Sequence, residues 1–140
     1  MADFSERFPI TLGGKVINVQ IALTELETTG GLMHRTTLAP DEGMLFVFAE
    51  LNRRNFWMHN VPINLSLGYF TKDGRLDEIK MLFAKDQENV PSRSGAVRFV
   101  LELREGWFAE NKIGRGAQLD IAAIRKAVRA RGFDPEHYGL

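Results

Sequence analysis

Apolar and polar positions alternate along residues 15–23, KVINVQIAL. Ile17, Val19, Ile21 and Leu23 fall on one side, with Asn18 and Gln20 on the other. A period of two predicts a strand with one buried and one wet face. FPITL, 8–12, precedes it across Gly13-Gly14, and two apolar runs around a two-glycine turn predict a β-hairpin. MLFVF, 44–48, is apolar on both faces and predicts a central strand. Further strands are expected at 55–59, 64–71, 75–82 and 96–103, with a hairpin turn at Asp73-Gly74. In the last of these Val97, Phe99, Leu101 and Leu103 point inward.

Between strands the pattern changes. Thr24 with Glu27 three residues on forms a capping-box pair, so a short helix competes with a loop over 24–34. Pro40-Asp41-Glu42-Gly43 is a turn signal. EGWFAEN, 105–111, predicts one or two helical turns. Asp120 can cap a helix running through Arg131, ended by Gly132 with Pro135 beyond. On it Ile121, Ile124, Ala127 and Val128 share one face, and Arg125, Lys126 and Arg129 another. About seven short strands with few helices predict a mainly β fold, an antiparallel sandwich or partly closed barrel, with one short internal helix and a C-terminal helix.

The chain has 140 residues, the size of a single domain, 1–140, with no repeat or linker. Eighteen basic residues balance eighteen acidic ones, so no net field recruits nucleic acid or an anionic membrane. The absence of cysteine removes disulfides, thiol catalysis and thiolate metal sites. The longest apolar run, 43–49, is too short to span a bilayer. MADFSERFPI lacks the apolar run of a signal peptide. The chain reads as cytoplasmic on that ground, or as exported if a leader has been trimmed.

Three separated motifs carry a resemblance. GLMHR at 31–35, DEGMLFVF at 41–48 and NFWMHNVPINLSLGYF at 55–70 resemble the motif series of the domain of unknown function 192 (DUF192) family. VRFVLELREGWFAENKIGRG, 97–116, resembles its closing strand and turn. The likeness runs through residues 8–118 and leaves 119–140 as a C-terminal helical extension. It implies a compact jelly-roll-like β fold, often found in exported bacterial and archaeal proteins, and no established activity. Family members commonly carry lysine where His59 stands and threonine where Val61 stands, so a role resting on that lysine does not transfer.

Candidate chemistry centres on residues 55–60. On an extended strand Phe56 and Met58 enter the core, while Trp57 and His59 share the opposite face. Asn60 falls at the strand end, where Pro62 breaks pairing. An indole wall beside imidazole and carboxamide groups suits a ligand groove. Arg35 and Asp41 are the expected neighbours, with Arg35 suited to a carboxylate or phosphate. The bland alternative packs Trp57 beneath the tail helix. His34 and His59 with Met33, Met44 and Met58 could form a soft-metal set, but methionine is also a flexible core filler, and no cofactor or metal is expected. Asp41-Glu42 more often polarises a turn than performs acid–base work. No G-x-S-x-G elbow or phosphate-binding loop occurs.

These features predict a non-catalytic module that binds a small ligand or a protein partner through Trp57, His59, Asn60, Arg35 and Asp41. The rival is a hydrolase-like enzyme with a polar site of Arg35, Asp41, His59 and Asn60.

Overall fold

A computed structural model of the chain describes residues 1–33, 35–58, 60–84 and 88–140. Its centre is a mixed six-stranded sheet. The members are β1 (Phe8–Leu12), β2 (Lys15–Ala22), β3 (Glu42–Asn52), β5 (Leu65–Phe70), β6 (Leu76–Leu82) and β8 (Val97–Arg104), in the order β1-β2-β3-β8-β5-β6. A separate two-stranded sheet joins β4 (Asn55–Phe56) to β7 (Val90–Pro91). The helices are α1 (Glu25–Gly30), α2 (Trp107–Glu110) and α3 (Ile121–Ala130), followed by a 3₁₀ turn at Pro135–Tyr138. The expected mainly β character holds. Among the described residues the sheet does not close into a barrel.

The β1–β2 hairpin turns at Gly13-Gly14, both at positive φ (54° and 85°). That is the left-handed pair a two-residue hairpin turn requires. The expected antiparallel pairing is corrected at one pair: β2 and β3 run parallel, with Val19 opposite Gly43 and Ile21 opposite Leu45. A parallel pair cannot be joined by a tight turn and needs a crossover of about a dozen residues or more. Residues 23–41 form that crossover and contain α1.

α1 is fixed by its capping box. Glu27 N donates to Thr24 Oγ1 at 3.1 Å, and Thr24 N donates back to Glu27 Oε1 at 3.2 Å. Its end is marked by Gly31, at φ 50°, whose N–H donates to Glu27 O.

β8 lies between β3 and β5, so both its edges are paired, and a separate apolar cluster covers each of its faces. One face, with Leu45, Val47, Phe99, Leu101 and Leu103, packs against Trp107, Ile124, Ala127 and Val128. Each fully buried large aliphatic side chain there contributes roughly 1.5–3 kcal/mol. The C-terminal extension is thus part of this core, its N-cap Asp120 accepting from Ala123 N. The other face carries Met44, Phe46, Leu65, Leu67, Tyr69 and Val100, covered by Leu32, Met58 and Val61 from the connecting segments.

The strand expected over 55–59 is shorter than its pattern suggests: only Asn55 and Phe56 pair. The chain then turns, with Val61 N donating to Met58 O and Asn60 at φ 57°. Asparagine is among the residues that best tolerate this left-handed conformation. The sidedness still follows the alternation. Met58 is buried, whereas Trp57 is 50% exposed.

Candidate functional site

The α1 crossover and the β3–β4 connection stand over the second sheet face and enclose a cavity of about 340 Å³ between them. Thr28, Thr29, Gly30 and Gly31 form one rim. Arg53, Arg54 and Trp57 line it from the β3–β4 side, and Phe46, Phe48 and Phe56 form much of its apolar wall. Phe46 and Phe56 meet edge to face, centroids 5.0 Å apart.

Glu102 also lines this cavity. It sits on β8 directly between Met44 of β3 and Leu67 of β5, and it is only 4% exposed. Among the described residues no group donates a hydrogen bond or ion pair to its carboxyl. Burial without compensation disfavours the charged form, and it pushes the Glu102 carboxyl up to about 8. Gly31 lies close by: a Cβ there would lie 3.4 Å from Glu102 Oε1 and 3.4 Å from Phe46 Cζ.

The two arginines differ. Arg54 is spent on structure. Its Nε and Nη2 donate to Val97 O at 3.2 and 3.0 Å, Nη2 also donates to Glu50 O, and its guanidinium carbon stands 3.7 Å from the Phe48 ring centroid. Arg53 donates only through Nε, to Ser92 O at 2.9 Å. Among the described residues its Nη groups have no partner.

The residues singled out from sequence separate in space. Trp57 lines the cavity. Arg35 and Asp41 do not: Arg35 Nη2 donates to Gln20 Oε1 at 2.7 Å, and Asp41 Oδ1 accepts from Trp107 Nε1 at 3.1 Å. Asn60 is exposed beyond the cavity lining. His34 and His59 lie outside the described residues. Met44 and Met58 are buried in the second cluster as core filler, and Met33 lines the cavity. Among the described residues no group of three His, Asp or Glu side chains converges as a metal set.

Glu102, Arg53 and the phenylalanine wall did not stand out in the sequence. One signal for Glu102 was present. Glu102 is the one acidic position in the otherwise largely apolar run 97–103, which sets it apart from a solvated charge cluster.

A mixed β-sheet with a cavity on one face, lined by one acidic residue among those described, is the class that fold and site define. The chain belongs to the DUF192 family (Uncharacterized ACR), whose family model matches residues 8–121. No functionally curated protein matches it significantly. Among solved structures it is similar to a candidate transcription regulator from Sinorhizobium meliloti 1021. The identity is 27% and the TM-score 0.78, over 86% of this chain and 96% of that one. It is also similar to a protein of unknown function from Novosphingobium aromaticivorans DSM 12444. There the identity is 29% and the TM-score 0.77, over 81% of this chain and 84% of that one.

Proposed function

We propose that this chain is a non-catalytic binding module for a small ligand, held in the cavity over Glu102 with Trp57 as part of its wall. The observation that carries the reading is a nearly fully buried residue, Glu102, whose carboxyl has no donor among the described residues and lines an aromatic-walled cavity. A buried polar group without a partner costs roughly 1–3 kcal/mol, and a fold tolerates that cost most readily where a ligand supplies the missing bond. The cavity volume of about 340 Å³ falls in the range of small-molecule sites, which combine apolar walls with a few polar groups.

The hydrolase-like alternative draws less support. Arg35 and Asp41 are engaged with Gln20 and Trp107, and a working acid–base pair needs its members at one concave site. The regulator description belongs to the Sinorhizobium protein. A balanced net charge offers it little support here.

A thermal-shift screen of the full chain against amino acids, sugars, nucleotides, short peptides and divalent metals tests the reading. A ligand that binds only the native state raises its melting temperature by mass action. At least one class should do so, and the shift should vanish in Trp57→Ala. A screen with no shifts, or shifts untouched by that substitution, contradicts the reading.

A further inference from the structure

We infer that the cavity takes a small zwitterion of the amino-acid class, its ammonium group set against the Glu102 carboxyl and its carboxylate toward the Arg53 guanidinium. This rests on the reading of the cavity as a small-ligand site.

The two polar anchors have opposite character. Among the described residues Glu102 is the acidic group lining the cavity, and it has no donor. Arg53 also lines the cavity, and among the described residues its Nη groups have no partner. A simple cation would satisfy the carboxyl but meet two guanidiniums, Arg53 and Arg54. A simple anion would pair with Arg53 but meet Glu102 only as a neutral carboxyl, which leaves that anchor without an ion pair. A neutral sugar could bond to both and would balance neither. A molecule with both charges complements both anchors.

The walls agree with an ammonium group on the Glu102 side. Aromatic faces attract ammonium ions within about 6 Å of the ring centroid. Phe48 is already covered by Arg54; Phe46 and Phe56 are further rings of the wall. Arg54 itself is fixed on the carbonyls of Val97 and Glu50.

Binding in this mode moves a proton. In the empty cavity burial keeps Glu102 protonated at neutral pH. An arriving ammonium group favours the carboxylate, and the carboxyl proton leaves to solvent. Among the described residues the groups facing Glu102 do not offer another destination. β3 contributes Met44 and Phe46, the rim contributes Gly31, and β5 contributes Leu67 and Tyr69. The Tyr69 hydroxyl already donates to Val90 O, and Arg53 and Arg54 are cationic.

Isothermal titration of the full chain at pH 7, in two buffers of different ionisation enthalpy, tests this. The probes are glycine, L-leucine and L-lysine, with glucose, acetate and choline as single-feature controls. At least one zwitterion should bind saturably and release about one proton per molecule bound. Glu102→Gln, nearly isosteric, should weaken it about tenfold or more and abolish the release. Arg53→Ala, at an exposed position, should weaken it about tenfold. Melting curves would verify that both variants fold. Three results overturn the inference: controls that bind as tightly as zwitterions without proton release, zwitterion binding unchanged in Glu102→Gln, or no binding by any probe. The first leaves the cavity a ligand site of another class. If no probe binds, the thermal-shift screen then decides separately whether the cavity binds any small molecule.

Discussion

Arg131 donates through Nη2 to Glu27 Oε2 at 2.6 Å, joining residues 104 positions apart. Arg131 closes α3, in the extension beyond the family match, and Glu27 is the capping-box residue of α1. The same arginine donates through Nη1 to Ile21 O. The C-terminal extension therefore ties down the helix whose last residues form the cavity rim.

Removing one partner of a buried ion pair leaves the other uncompensated, at a cost of roughly 3–5 kcal/mol. Arg131→Met should lower stability to urea by about that amount near neutral pH. Burial alone would raise the Glu27 carboxyl, but bonds from Arg131 and from the Leu23 and Thr24 amides outweigh it and hold it below its ordinary value of 4.5. A carboxyl lowered on folding stabilises the fold above its unfolded value, and that contribution is lost as pH falls through the folded value. The difference between wild type and Arg131→Met should therefore shrink below about pH 4.5.

Cutting the chain after Gln118 removes Leu119, Ile124, Ala127 and Val128, all buried. At roughly 1.5–3 kcal/mol for each large side chain, the truncated chain should be strongly destabilised or fail to fold. Circular dichroism melts would check this. An unchanged melting temperature would make the extension a mere appendage.

Glu102 has the opposite pH signature. Its carboxyl rises from 4.5 in the unfolded chain to about 8 in the fold. Below 4.5 both states hold the proton and stability is unaffected. Between 4.5 and 8 the unfolded chain ionises first, so the folded state loses up to about 1.4 kcal/mol per pH unit. Above that window the loss levels off. Glu102→Gln does not titrate, so its melting temperature should exceed that of wild type by a margin that widens from acid to mildly alkaline pH. A margin independent of pH would contradict the assignment.

Gly31 and Gly30 provide a paired test of the rim. Gly31 sits at φ 50°, and a Cβ there meets Glu102 and Phe46. Gly31→Ala should cost about 1 kcal/mol from backbone strain and crowd the space beside Glu102. Gly30→Ala meets nothing within 4 Å and should be neutral or slightly stabilising. Melting curves and binding of the probe found by thermal shift would separate the two.

Much of the fold was legible from sequence. Alternation located β2 and β8, the turns at Gly13-Gly14 and Asp73-Gly74 located β1, β5 and β6, and the Thr24–Glu27 and Asp120 caps located α1 and α3. The parallel β2–β3 pair was not legible, because a period-two pattern is the same whichever way the neighbouring strand runs. Of the expected site, Trp57 reaches the cavity because its exposure follows local alternation about Phe56 and Met58. Arg35 and Asp41 were grouped with it by motif. Their positions depend on the crossover path, which carries Asp41 to Trp107 and Arg35 to Gln20. Glu102 was overlooked because an acidic residue in an alternating strand reads as solvated until its neighbours on both sides are known.

The most direct test of the central claim, that a small ligand sits over Glu102, is an amide ¹H–¹⁵N NMR titration of the full chain. The titrant is whichever probe raises the melting temperature. Shifts should concentrate at residues 28–33, at 53–57 and at Glu102, reversing or vanishing in Glu102→Gln. Perturbations confined to α3 or to β6, with the cavity residues unmoved, would contradict it.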